Sequence, residues 1–340
     1  MIPLRTFFSF ALFWLALLMC FNFFVDPIQY YRKQLHPLFV KNMRYQIPGL
    51  VKQYDFDTVF IGTSHSANFL PSELDKLMGS NSINLSVNGS FGWEQSQILI
   101  YAFENRKVAN VVWEMNYRTI AYGAQNRVET GIFPLHLYQM NARSDLLYLF
   151  SIDTAWQSVK HLLGRGHRDI ETINSWEEKF RHQFDGERAR KHYCIRKSEE
   201  KIRRGEDLDY RNAVETYVLP TIIDQRDTTF YLFLPPLSYF NYLLDGEYQR
   251  FVEFRKELYL VASQNFNVVL LDFSNKFEWI GDAKNYKDVE HFSPAISSAI
   301  LAIIARRQNY VEDWNVNNSN RKFAAFLSEK RAGEPPCRNI

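Results

Sequence analysis

Nineteen consecutive residues, Phe7 to Val25 (FFSFALFWLALLMCFNFFV), carry only two polar side chains, Ser9 and Asn22. Roughly 20 such residues wound as a helix cross the hydrocarbon core of a bilayer, with every backbone N–H and C=O satisfied inside the segment. The run therefore predicts a membrane span. A cleaved leader would have a shorter apolar core followed by small residues, whereas bulky Phe23, Phe24 and Val25 run straight into Asp26-Pro27. Residues 1–26 read as an uncleaved signal anchor. Arg5 precedes the span, while Arg32, Lys33, Lys41 and Arg44 follow it, a basic count that argues for the opposite orientation. A short flank ahead of an export-like segment commonly stays inside, and on that ground the expectation is a single-pass protein whose domain faces the periplasmic or extracellular side.

The rest of the 340 residues is rich enough in apolar side chains, 46% hydrophobic overall, for a sizeable core. Prolines 27, 37 and 48 punctuate a basic, aromatic stretch, so 27–50 reads as an irregular juxtamembrane connector near the headgroups. Residues 51–312 form the main domain, and the Asn-rich tail 313–340, ending near Pro335-Pro336, is expected to lack order. With 40 basic against 38 acidic residues, no field exists to hold nucleic acid. The aromatic share of 16% suits a core first and sugar stacking second. Cys20, Cys194 and Cys337 make no C-x-x-C spacing, so neither a metal nor a dithiol centre is indicated, and no cofactor is implied. A Cys194–Cys337 disulfide and two free thiols are both open.

Five short apolar runs read as buried parallel strands: 58–61, 82–85, 108–113, 230–234 and 267–272. Helical patterns cover 93–105, 248–264 and 295–307, the last opened by Ser293 as N-cap and Pro294 in the first turn. This alternation predicts an α/β fold, a three-layer α/β/α arrangement around a five-stranded parallel, flavodoxin-like sheet. Residues 121–227 interrupt it as a helical insertion whose charge-rich run 187–209 is a solvated helix face. Asn84, Asn88 and Asn317 fit glycosylation sequons; the first two lie at a buried strand end, and all three are taken as chance matches.

The chemistry concentrates at strand ends. The first strand runs into Gly62-Thr63-Ser64-His65-Ser66, placing a serine at the carboxyl edge of the sheet, where open α/β sheets bind ligands. Serine is a weak nucleophile without a base to take its proton. Asp288-Val289-Glu290-His291 precedes the last helix at the same edge, so His291 is the candidate base and Asp288 its orienting acid. Donors for an oxyanion follow the second and third strands, at Gly89 and Asn116. Ser66 is the alternative nucleophile.

Together these positions resemble the SGNH (GDSL-like) hydrolase superfamily, in which Ser follows strand one, Gly strand two, Asn strand three, and Asp-x-x-His stands near the carboxyl end. Here they are Ser64, Gly89, Asn116, and Asp288 with His291, spanning about residues 55 to 310. Thr63 replaces the family's Asp, and Asn116 lacks the usual Gly before it and Asp after it. The layout is most similar to the single-span branch that includes DltD-like and AlgJ/AlgX-like proteins. That resemblance implies an outward-facing domain and acyl chemistry on cell-envelope glycans or glycopolymers, as O-acyl(acetyl)transferase or esterase, with a membrane-bound acyl-donor protein as a candidate partner. A catalytically silent glycan-binding or assembly protein on the same fold is the rival expectation.

Overall fold

The computed structural model describes residues 4–122, 133–139, 141–173, 183–199, 208–335 and 337. In chain order the helices are α1 (Leu4–Val25), α2 (Met43–Gln53), α3 (Pro71–Met78), α4 (Gly92–Asn105), α5 (Tyr117–Ile120), α6 (Ala142–Leu149), α7 (Ile152–Leu162) and α8 (Gly186–Glu199). They continue with α9 (Tyr210–Ala213), α10 (Leu219–Asp224), α11 (Tyr239–Leu243), α12 (Glu247–Gln264), α13 (Phe277–Ile280), α14 (Pro294–Ile304) and α15 (Val316–Gly333). The strands are β1 (Thr58–Ile61), β2 (Ser82–Asn84), β3 (Asn110–Glu114), β4 (Thr229–Leu234) and β5 (Val268–Asp272).

All five strands pair in parallel in the order β2-β1-β3-β4-β5, the flavodoxin-like sequence expected from the alternation. The strands are near-continuous apolar runs because helices cover both faces, and Val59, Phe60, Val112, Leu232 and Leu270 are fully buried. Strand order reverses around β1, whose neighbours are β2 and β3. The crevice beyond the carboxyl ends of β1 and β3 is the topological switch point where such sheets take ligands.

Two compact units divide the chain. Phe56–Leu99, Lys107–Thr130 and Asn174–Ile340 form the sheet unit; Met1–Asp55, Ile100–Arg106 and Gly131–Ile173 form the other, around α1. The 121–227 stretch, expected as one insertion, is thus shared between them, and residues 123–132, 140, 174–182 and 200–207 lie outside the described residues.

In the α1 unit, a helix of 22 residues is about 33 Å long, and Arg5–Val25 is long and apolar enough to span a membrane. The connector is not irregular throughout: α2 occupies 43–53 with Ile47, Leu50 and Val51 buried. Pro48 inside α2 removes one N–H and so frees the carbonyl of Arg44, four residues back. The Tyr138 hydroxyl donates to that carbonyl at 2.8 Å, which is how the helix tolerates its proline.

In the sheet unit, the tail departs from expectation. Residues 316–333 form helix α15, capped by the Asn315 side chain, with Phe323 and Leu327 buried and Phe326 stacked on Phe277 at 4.6 Å. The signal was a Phe/Leu spacing at 323, 326 and 327 that Asn-rich composition masked. Ser293 precedes α14 as expected, yet its side chain makes no capping bond; its backbone N–H instead donates to Asn285 O at 2.9 Å.

Cys194 and Cys337 are joined by a disulfide across a separation of 143 residues, with Cα atoms 5.6 Å apart, and so tie α8 to the chain beyond α15. The open alternative of two free thiols is set aside. Cross-linking so long a loop restricts the unfolded chain, and bridges of this kind typically contribute about 2–4 kcal/mol. Adding reductant to the full-length protein, or replacing Cys337→Ser, is expected to lower the urea midpoint accordingly. Equal midpoints with and without reductant would show that the bridge contributes nothing.

Candidate active site

The turn after β1 is built around one buried carboxylate. Glu114, the last residue of β3, is fully buried. Its Oε2 accepts the Thr63 N–H at 2.8 Å, the Ser66 N–H at 3.1 Å and the Ser66 hydroxyl at 2.9 Å. Its Oε1 accepts the Thr63 hydroxyl at 2.5 Å, His65 Nδ1 at 2.7 Å and, more weakly, the Asn116 amide at 3.3 Å. Burial alone would push this carboxyl up; the His65 ring and the surrounding donors overcome that and hold it at about 2. Burial likewise opposes charge on His65, but Glu114 wins and raises it.

Gly62 lets this happen. Its φ of +152° is a conformation that side chains avoid, and a Cβ there would lie 2.4 Å from Glu114 Cβ. Within residues 61–67 every side chain is buried except Ser64. Thr63, His65 and Ser66 are pinned inward, and Ser64 is the residue left facing out.

The other half of the site is the loop before α14. An antiparallel bridge pairs Tyr286 with Phe292, the Lys287 N–H donates to His291 O at 3.0 Å, and the buried Tyr286 hydroxyl donates to Pro236 O at 2.6 Å. Asp288 Oδ1 accepts the Glu290 and His291 N–H groups, each at 2.9 Å, leaving Oδ2 for the His291 ring, whose Nδ1 lies 2.7 Å away. Burial opposes ionisation of Asp288, yet those hydrogen bonds hold its carboxyl well below its ordinary range. Glu290 moors the loop by ion pairs to Arg196 of α8 and, at 3.7 Å, to Arg118 of α5. Burial raises the Glu290 carboxyl and the two guanidiniums lower it further, to about 2.

The two halves meet. Ser64 Oγ and His291 Nε2 are 2.8 Å apart, so hydroxyl, imidazole and carboxylate form one continuous relay from residues 227 apart in the chain. With Nδ1 donating to Asp288, Nε2 carries the lone pair that accepts the Ser64 proton.

The remaining expected residues are placed differently. Ser66, the alternative nucleophile, is fully buried and bonded to Glu114 and to Thr63 O, so it has no access to a ligand. Gly89 is exposed at φ +64° in the loop after β2. Asn116 caps α5 by accepting the Arg118 N–H at 3.0 Å while its amide leans on Glu114. Asn84 donates to the carbonyls of Ser66 and Phe69 at 2.8 and 3.0 Å, bracing the serine turn from the β2 side. Glu114, His65 and Arg118 were missed from the sequence. The available signal was a charged residue ending a buried strand, which is tolerated only where something pairs with it.

No family model matches the chain, and no curated protein matches it either.

Proposed function

We propose that the sheet unit is an SGNH-type serine acyl-ester enzyme, held by its anchor on the outer face of a membrane and acting on cell-envelope glycans or glycopolymers. The observation that carries this reading is the relay from Ser64 Oγ through His291 to Asp288, with contacts of 2.8 and 2.7 Å. Ser64 Oγ attacks the carbonyl carbon of an acyl ester or thioester as His291 Nε2 takes its proton. The imidazolium, steadied by Asp288, then protonates the departing alcohol or thiol and leaves an acyl-serine. Water as second nucleophile makes an esterase; a sugar hydroxyl makes an O-acyltransferase, with a membrane-bound donor protein as the source of the acyl group. The Ser64 and Gly89 backbone N–H groups and the Asn116 side-chain amide are the oxyanion donors of this scheme.

The Cys194–Cys337 disulfide supports placement in an oxidising compartment, against the basic count on the far flank of α1. One observation favours a second reading, a silent glycan-binding domain: the Asn116 side chain accepts the Arg118 N–H and turns one of its two amide hydrogens to Glu114.

The experiment that separates them is labelling of the full-length, detergent-solubilised protein with a fluorophosphonate probe. The enzyme reading expects a covalent adduct on Ser64 that vanishes in Ser64→Ala. A folded wild type that takes up no label would sink that reading and favour the silent one.

A further inference from the structure

The α6–α7 hairpin is amphipathic in the wrong sense for a helix covering a protein core. On α7, Ile152, Trp156 and Val159, continued by Leu163 just past its end, recur at intervals of four, three and four residues and so line one face. A stripe of that kind ordinarily faces the core. Here all four are exposed, Ile152 to 79%, Trp156 to 56%, Val159 to 37% and Leu163 to 63%. The inward side is polar: Ser158 is fully buried, and Thr154, Gln157 and His161 are half-buried. Of the exposed residues of α7, all but Asp153 are apolar. Leu146, Leu147 and Phe150 extend the exposed patch across α6.

What lies beside this patch identifies its occupant. Both α6 and α7 pack on α1. Asn22, three residues before α1 ends, donates through its amide to the carbonyls of Leu149 and Ser151, at 2.8 and 3.0 Å, in the α6–α7 turn. The patch is thereby fixed at the last turn of the one described helix able to cross a bilayer. Tyr148 closes the same junction, donating to the buried Asp26 carboxylate at 2.9 Å, while the Tyr30, Tyr31 and Arg32 N–H groups donate to that carboxylate. Lys160 stands 5.5 Å from the Trp156 ring and Arg165 is exposed beyond the helix, where both can meet phosphate.

We infer that α6–α7 is a monotopic interfacial hairpin that sinks its apolar face into the leaflet from which α1 emerges. Continuity with the exposed apolar flank of α1, tryptophan at the boundary and cations at the rim are the features of a helix lying in a bilayer surface. A second membrane contact beside the anchor restrains the unit far more than a single flexible tether. The inference rests on the reading of α1 as a span.

The test uses the full-length protein in vesicles of zwitterionic and anionic phospholipid, brominated either near the carboxyl end or near the methyl end of the acyl chains. Subtracting the emission of Trp156→Phe from wild type isolates Trp156; subtracting Trp14→Phe isolates Trp14, in the middle of α1. Expected are a blue-shifted Trp156 component quenched more by shallow than by deep bromine, and a Trp14 component quenched more by deep bromine. Trp14 quenched with Trp156 unquenched, whether red-shifted in water or blue-shifted under a protein partner, overturns the hairpin proposal alone. Neither quenched overturns the anchor reading beneath it. Ile152→Ser with Leu163→Ser, 79% and 63% exposed, is expected to weaken the Trp156 quenching while leaving the thermal midpoint unchanged; unaltered quenching counts against the proposal.

Discussion

Ser64→Ala and His291→Ala are each expected to lower kcat for an activated acyl ester by about 10⁶-fold, and the double variant by no more than either alone. The reason is the geometry: one proton path, 2.8 Å at its serine end and 2.7 Å at its aspartate end, serves both residues, so breaking it once removes what either supplies. Asp288→Asn is expected to cost about 10⁴-fold, because an amide can present its N–H to His291 Nδ1 and turn the ring to the wrong tautomer. Ser64 belongs to no ion pair, so the Ser64→Ala midpoint should stay close to wild type, whereas His291→Ala and Asp288→Asn each break the pair that holds the Asp288 carboxyl low and should melt below it. The measurement is single-turnover acylation with a p-nitrophenyl ester alongside a melting curve for each variant. Losses that multiply in the double variant, or a Ser64→Ala protein that still turns over, would remove the acyl-enzyme scheme.

The strands were legible because a sheet covered on both faces demands apolar runs, and Thr58–Ile61 or Thr229–Leu234 admit almost no other reading. Ser64, Asp288 and His291 were legible because their positions relative to strand ends and to the start of α14 follow from topology. What lay hidden depends on partners distant in sequence. Glu114 had no role in the sequence reading because its five close donors come from residues 63–66, about 50 positions upstream. Thr63 gives that carboxylate both its N–H and its hydroxyl, and an ionised acid at the same position could not make the second of these bonds. The outward stripe of α7 was equally invisible, since periodicity gives the apolar face and not the direction in which it points. The α2 helix was masked by Pro48, whose cost is offset by a tyrosine 90 residues downstream.

Glu114→Leu is expected to cost about 3–5 kcal/mol, the range for removing one partner of a buried ion pair, and to abolish activity although Glu114 touches no substrate. Leucine fills much of the space but leaves the His65 ring and the Thr63 and Ser66 donors buried with nothing to accept them. The turn that aims Ser64 must then rearrange. The sign of the pH dependence follows from the carboxyl. Its folded value of about 2 lies below its ordinary 4.5, so its stabilisation is complete above the higher value and is lost as pH falls through the lower. His65 is raised, so its share is present below its ordinary 6.5 and fades only as pH rises past the folded value. Urea titrations of wild type and Glu114→Leu should therefore differ most between these ends, and the gap should close as pH falls from 4.5 towards 2. Glu114→Gln keeps an acceptor for one set of donors and should lose less stability, while still displacing Ser64 enough to slow acylation. A stability gap that is constant across acid pH would show that Glu114 acts by packing alone, with no charged pair beneath the serine turn.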